Sequence, residues 1–535
     1  MTGYFSLILH AHLPFVRHPE HPEFLEEDWL FEAITEVYLP LVALLRKLCD
    51  ERIAPRLALT VSPTLAEMLA DSLLRTRYER HLENLLALAT KELARTRRDA
   101  PHFHATALLY HDRLTAALRL WRDTLKRDLV AAFRDLQTAG VVELITCCAT
   151  HGFLPLISTE EARRAQVLAA LANHEKHFGH RPRGIWLPEC AYAPGLEKYL
   201  AGTGLEYFVA DTHAVLYGEP RPRYGAHSPV LTPSGVAVFA RDPETSRQVW
   251  SAEGGYPGDP FYREFYRDLG FDAPHEYLQP HLHRDGARRH LGLKYHRITG
   301  RDVPLQDKQP YDPARACERA AEHARHFVHE RLKQVRRLRE TFGDGRAPLV
   351  VAPYDAELFG HWWYEGLQFL ELVFRELRTP GLRGDIEPIT PGDFLDLGLP
   401  LQTQQPAQSS WGAGGYFAVW LNEKTSWMYP HQHAAEARMN ALARRFRRAP
   451  DPLTRRALAQ AARELLLLQS SDWAFQIAHD TTAAYAARRF RTHLRRFHAL
   501  ADDLDRGHID EQRLAEMETR DRLFAELDYT IYGST

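Results

Sequence analysis

Gly184-Ile185-Trp186-Leu187-Pro188-Glu189-Cys190-Ala191-Tyr192 reads as a short buried strand that ends on a carboxylate. Pro348-Leu349-Val350-Val351-Ala352-Pro353-Tyr354-Asp355 has the same construction. A short apolar run bounded by turn formers is what a strand covered on both faces looks like. An acid at the end of such a run is costly to bury and adds nothing to packing. In barrel folds the C-terminal strand tip is where the active site lies. Two such acids, Glu189 and Asp355, with aromatic residues beside each, predict a site that cleaves or transfers sugars.

Working outward, further β-like runs fall at 4–9, 56–61, 141–146, 207–210 and 236–240. Seven strands alternating with helical stretches predict an α/β fold, a seven-stranded (β/α) barrel. Residues 64–139 lack a strand signal, and Leu82, Leu85, Leu86 and Leu93 recur at helical spacing. This segment is expected to be a helical insertion in a catalytic barrel spanning 1–400. Ser158-Thr159-Glu160-Glu161 is a capping box for a helix running to about Phe178. Residues 213–300 are rich in Pro, Gly, Tyr and His and read as long loops over an active face. Asp312–Phe342 reads as helix. Gln402–Ser410 reads as a polar linker. Helical patterns at 433–448, 452–470 and 472–504 then predict a C-terminal all-α domain over 401–535.

The bulk numbers exclude several classes of function. A chain of 535 residues with 45% hydrophobic and 26% charged residues is that of a globular protein with room for two or three domains. A net charge of −3 makes no case for nucleic acid or an anionic membrane surface as partner. The five cysteines form no CxxC pair, which fits a reducing compartment. The first residues lack a signal-peptide pattern, and no run approaches the length of a membrane span. A cytoplasmic location is expected.

Histidines mark two more strand ends. His10-Ala11-His12-Leu13-Pro14-Phe15 closes the first strand, where alternation puts His10 and His12 on one face. His151-Gly152-Phe153-Leu154-Pro155 follows the third in the same way. These histidines could recognise sugar hydroxyls, ligate zinc or be structural. If Glu189 and Asp355 act together, one must be ionised and the other protonated. Glu357 is a rival on the same segment as Asp355. Trp411, next to Gly412, reads as an exposed ring, while Trp420 and Trp427 fit a core equally well. Asp472, in Gln469-Ser470-Ser471-Asp472-Trp473, reads either as a helix N-cap or as a carboxylate reaching a sugar.

Six motifs in order, HAHLPF at 10–15, HGFLPL at 151–156, WLPECAY at 186–192, PYDAELFGHWW at 353–363, SSWG at 409–412 and QSSDW at 469–473, resemble glycoside hydrolase family 57, and within it the 1,4-α-glucan branching enzymes. The resemblance implies a seven-stranded barrel with an inserted helical region and a C-terminal helical domain. It implies retaining transfer of an α-1,4-linked chain onto a glucose 6-hydroxyl, with α-1,4-glucan as donor and acceptor and without metal or other cofactor. Glu189 matches the nucleophile and Asp355 the acid/base. His10, His12 and His151 match residues lining the cleavage subsite, and Trp411 and Asp472 match substrate-binding positions. The segments 262–268 and 291–296 resemble further glucan-contacting stretches, which adds Arg263, Arg267 and Gly292. A monomer is expected. On this reading Trp411 is the candidate acceptor platform. Val236–Asp259 is the candidate cover, with Tyr256 as a ring at its tip or as part of a structural turn. A 4-α-glucanotransferase or α-amylase would use the same acids. A zinc-dependent deacetylase would instead use His10, His12 and an Asp as ligands.

Overall fold

The computed structural model describes residues 2–251, 254–379, 384–448 and 450–533. Its centre is a curled sheet of β1 (Gly3–Ala11), β2 (Leu57–Val61), β3 (Val142–Cys147), β4 (Gly184–Trp186), β5 (Tyr207–Ala210), β6 (Val230–Leu231), β7 (Ala237–Ala240), β8 (Leu349–Asp355), β9 (Ile386–Pro388) and β10 (Gln402–Thr403). Seven of them, in the order β8-β1-β2-β3-β4-β5-β7, pair in parallel. They are the seven runs expected from sequence. β2, β4, β5 and β7 are buried along their whole length, as strands covered on both faces must be. No ladder joins β7 to β8 among the described residues. A bond from the Asp242 N–H to the Val351 carbonyl, 2.9 Å, bridges that seam.

The helices follow their sequence signals. Thr159 caps Glu160–Phe178 through the Ala162 N–H, and Gly179, at φ 80°, ends it in the left-handed conformation that glycine tolerates. Asp71 caps the long inserted helix Ser72–Asp99, which runs beside His104–Arg119. Asp312 caps Pro313–Phe342. After the barrel come Met428–Arg445, Pro452–Leu468, Ser471–Ala478, Ala483–Arg506 and Glu511–Arg520.

Three expectations need correction. Gln402–Ser410 is not a linker: β10 pairs with β6, and Ser409 exchanges backbone bonds with Tyr192 at 2.9 and 3.0 Å. Polar side chains hid a packed strand, because Gln404 is buried and donates to the carbonyls of Val215 and Pro220. The single helix expected over 472–504 is two, broken at a turn where Asp480 has φ 55°. Tyr256 is not a ring at a loop tip. It is buried, stacked on His323, and its hydroxyl bonds His326 at 2.7 Å. Residues 252–253 of that candidate cover lie outside the described residues.

Candidate active site

Parallel register brings the motifs together. β1 and β8 pair so that His10 stands level with Asp355. His151 and Glu189 follow β3 and β4, two strands that pair with one another. His151, Glu189 and Cys190 have φ values of 57°, 62° and 49°. Non-glycine residues avoid that region at a cost of about 1 kcal/mol or more each, and such strain collects where geometry is functional. The polar side chains here line a cavity of about 780 Å³.

Glu189 is held by two donors. The indole N–H of Trp411 donates to Oε2 at 2.8 Å, and the hydroxyl of Ser471 donates to Oε1 at 3.0 Å. The Ser471 Oγ also lies 2.8 Å from Nδ1 of His151. Burial raises Glu189 to about 7, against the Trp411 and Ser471 bonds that favour the carboxylate and with the Asp472 charge adding to the rise. Asp355 is raised well above the ordinary carboxyl range by burial, then by the charges of Glu357 and Glu189. Glu357 Oε1 accepts from the Tyr38 hydroxyl at 2.5 Å and from the His12 backbone N–H at 3.2 Å. Burial lifts it to about 7 against the Tyr38 bond. The three neighbouring carboxyl groups therefore titrate as one coupled set.

The histidines form a stacked layer. His10 lies over Trp186 at 4.6 Å and 5°, and His12 over His151 at 3.9 Å and 11°. The Nε2 atoms of His10 and His151 are 3.1 Å apart. Burial, and then a neighbouring histidine, hold both rings well below the ordinary histidine value, so both are neutral at pH 7. His12 differs. Burial lowers it, but the Asp472 carboxylate at 3.1 Å outweighs burial and leaves it above 6.5. Burial raises Asp472, but His12 outweighs that in turn and sets it at about 2. Asp472 is not the helix cap. Ser470 takes that place, accepting from the Asp472 N–H, and the carboxylate is left to face the cavity.

His10, His12, His151, Glu189, Asp355, Trp411 and Asp472 thus share one cavity. Arg263, Arg267 and Gly292 do not line it. Arg263 is buried behind the wall, paired with Glu36 at 2.9 Å and donating to the His361 carbonyl at 3.1 Å. Arg267 pairs with Asp272 and ties down the carbonyls of Leu305 and Gln306. Gly292 donates its N–H to Asp268 and lines a separate cavity of about 690 Å³. Ser471, Tyr38 and Trp362 were missed by sequence reasoning. Ser471 lies inside a quoted motif, beside the more conspicuous Asp472. As for metal, two sets at this site bring ligand atoms within 4.8 Å of one another: His12 with His151 and Asp472, and His10 with Cys147 and His151. In the first, His12 Nε2 and Asp472 are already spent on each other. No helix among the described residues is long and apolar enough to cross a membrane.

Residues 6–341 match the family described as Glycosyl hydrolase family 57, and residues 431–532 match the region described as 1,4-alpha-glucan branching enzyme, C-terminal. A 1,4-alpha-glucan branching enzyme of Thermococcus kodakarensis is 39% identical over 98% of this chain and 78% of its own length. The crystal structure of a GH57 branching enzyme from that organism superposes with a TM-score of 0.89 at 38% identity, over 100% of this chain and 97% of that one. A probable 1,4-alpha-glucan branching enzyme of Mycobacterium tuberculosis is 34% identical over 99% of this chain and 98% of its own length. The crystal structure of a protein described as the alpha-amylase AmyC of Thermotoga maritima has a TM-score of 0.93 and 43% identity, covering 100% of both chains. Sequence match, whole-chain likeness and barrel agree: this chain belongs to glycosyl hydrolase family 57.

Proposed function

We propose that the protein is a 1,4-α-glucan branching enzyme working by retaining double displacement. The observation that carries this reading is the contrast between the two acids: Glu189 is gripped by two donors, and Asp355 is held in its protonated form. In the first step a Glu189 oxygen attacks the anomeric carbon of an α-1,4-glucan. The bond to the leaving O4 breaks, and Asp355 delivers its proton to that oxygen. In the second step a glucose 6-hydroxyl attacks the same carbon. Its proton passes to the Asp355 carboxylate, and the ester bond to Glu189 breaks. The neutral His10 and His151 and the charged His12–Asp472 pair are suited to donate to and accept from glucose hydroxyls.

The match of residues 431–532 to the region described as 1,4-alpha-glucan branching enzyme, C-terminal, favours transfer to a 6-hydroxyl. The likeness to AmyC supports a second reading, in which water takes the place of the acceptor. Incubation with amylose followed by proton NMR decides between them. New α-1,6 signals are expected to accumulate faster than reducing ends. Reducing ends without α-1,6 signals would leave hydrolysis as the activity.

A further inference from the structure

Trp362 and Trp363 are neighbours with opposite fates. Trp363 is 1% exposed and packs in the core against Phe369, whereas Trp362 is 55% exposed and lines the active-site cavity. Leaving an indole in water forgoes roughly 2 kcal/mol of burial. The ring is also set rigidly. Its back face stacks on Phe265 at 4.5 Å and 26°, and the Lys294 ammonium lies 4.0 Å from the Phe265 ring centre. Beneath, His361 Nδ1 bonds Glu36 at 2.6 Å, Arg263 pairs with Glu36, and Arg263 holds the His361 carbonyl. Arg263 is thus a buttress for the Trp362 turn. The Trp362 backbone N–H returns to the Glu357 carbonyl at 3.2 Å, which ties this turn to the segment that bears Asp355.

Trp411 does not have this freedom. Its N–H is committed to Glu189, and its ring meets Trp186 edge-on at 5.1 Å. A group that bonds Glu189 takes part in every turnover, whether water or sugar completes it.

We propose that Trp362, backed by Phe265, is the platform on which the acceptor α-glucan stacks. The proposal rests on the double-displacement reading above. In that reading the acid/base protonates the departing sugar and later takes the proton of the incoming one, so the acceptor lies on the Asp355 side of the cavity. A flat, water-facing indole on that side offers a glucose ring apolar contact while its hydroxyls stay solvated. Water needs no platform, so the ring biases the glycosyl-enzyme towards transfer.

The test is the number of α-1,6 linkages formed per reducing end released, measured for wild type, Trp362→Ala and Trp362→Phe. The expected result is a fall of about tenfold in that ratio for the alanine variant, and recovery to within about threefold by phenylalanine, because truncating an aromatic anchor commonly costs about a factor of ten. An alanine variant with the wild-type ratio overturns the proposal, as does a phenylalanine variant as impaired as alanine. Binding gives a second readout. Maltoheptaose should bind Glu189→Gln about tenfold more tightly than the double variant Glu189→Gln/Trp362→Ala, and equal affinities would count against the platform. A wild-type protein that forms no α-1,6 linkages would refute the branching reading instead, and the binding comparison would still judge Trp362 as a glucan platform.

Discussion

The tips of β4 and β8 both carry an acid of the cavity, yet they are built in opposite ways. Glu189 sits on a turn with two consecutive left-handed residues, and each of its oxygens accepts from a donor that arrives from beyond the barrel. Asp355 ends a regular strand, faces Glu357 and Glu189 in the cavity, and has no positive partner at hydrogen-bond distance among the described residues. Donors stabilise a charge and fix its position, while burial beside other carboxylates keeps a proton on. One tip fixes an attacking oxygen in space. The other stores a proton. The difference lies in the neighbours rather than in the choice of Glu or Asp.

Substitution tests this contrast, with the largest effect expected first. Glu189→Gln keeps shape and packing but removes the nucleophile, so turnover of amylose should fall by about 10⁴-fold or more. Initial rates measure this, and near-normal turnover would end the assignment. Asp355→Asn should cost about 10²- to 10⁴-fold and abolish the basic limb of kcat/KM, since that limb reports loss of the stored proton. If the limb survives in this variant, Glu357 becomes the better acid/base. Two milder changes should move the limbs in opposite directions. Ser471→Ala removes a hydrogen bond that favours ionised Glu189, so the acidic limb should move to higher pH with a rate loss of about tenfold. Glu357→Gln removes a negative charge beside Asp355, so the basic limb should move to lower pH with a loss of a few-fold, on the order of 1 kcal/mol. Shifts of the same sign in both variants would show that the carboxyl groups are not tuned separately.

The last effect is on stability rather than rate. Asp472 is depressed to about 2, so its contribution is present above the ordinary 3.8 and is lost as pH falls towards 2. His12 is raised above 6.5, so its contribution is complete below 6.5 and is lost as pH rises through its folded value. The pair therefore stabilises most between about pH 4 and 6.5. Asp472→Asn should lower stability there by about 2 kcal/mol and less at pH 9. Denaturant melts at both pH values check it, and equal losses would place the Asp472 contribution outside the ion pair.

Much of this was readable before the fold was known. The seven parallel strands have a local signature, because an apolar run flanked by turn formers leaves few alternatives. Both acids and all three histidines were legible as residues at strand ends. The failures share a cause. Ser471 and Glu189 are 282 positions apart, and Tyr38 and Glu357 are 319 apart. No periodicity encodes such pairings. Gln402–Ser410 was misread because its polar side chains are satisfied by distant carbonyls, and Trp411 looked like a free ring because nothing in its flanks reveals a bond to Glu189. Trp362 and Trp363 are identical letters side by side, and only the path of the turn after β8 separates display from burial.

The position of β1 has a consequence for synthesis. β1 lies inside the sheet, yet the strand on one of its sides, β8, emerges about 345 residues later. At about 5–20 residues per second, Phe5, Ile8 and His10 wait on the order of half a minute for that partner. Glu189 waits almost as long, 282 residues, for its serine donor at position 471. A nascent chain therefore carries an open, sticky strand edge through most of its translation. Its catalytic groups come into register only after more than four-fifths of the polypeptide has left the ribosome.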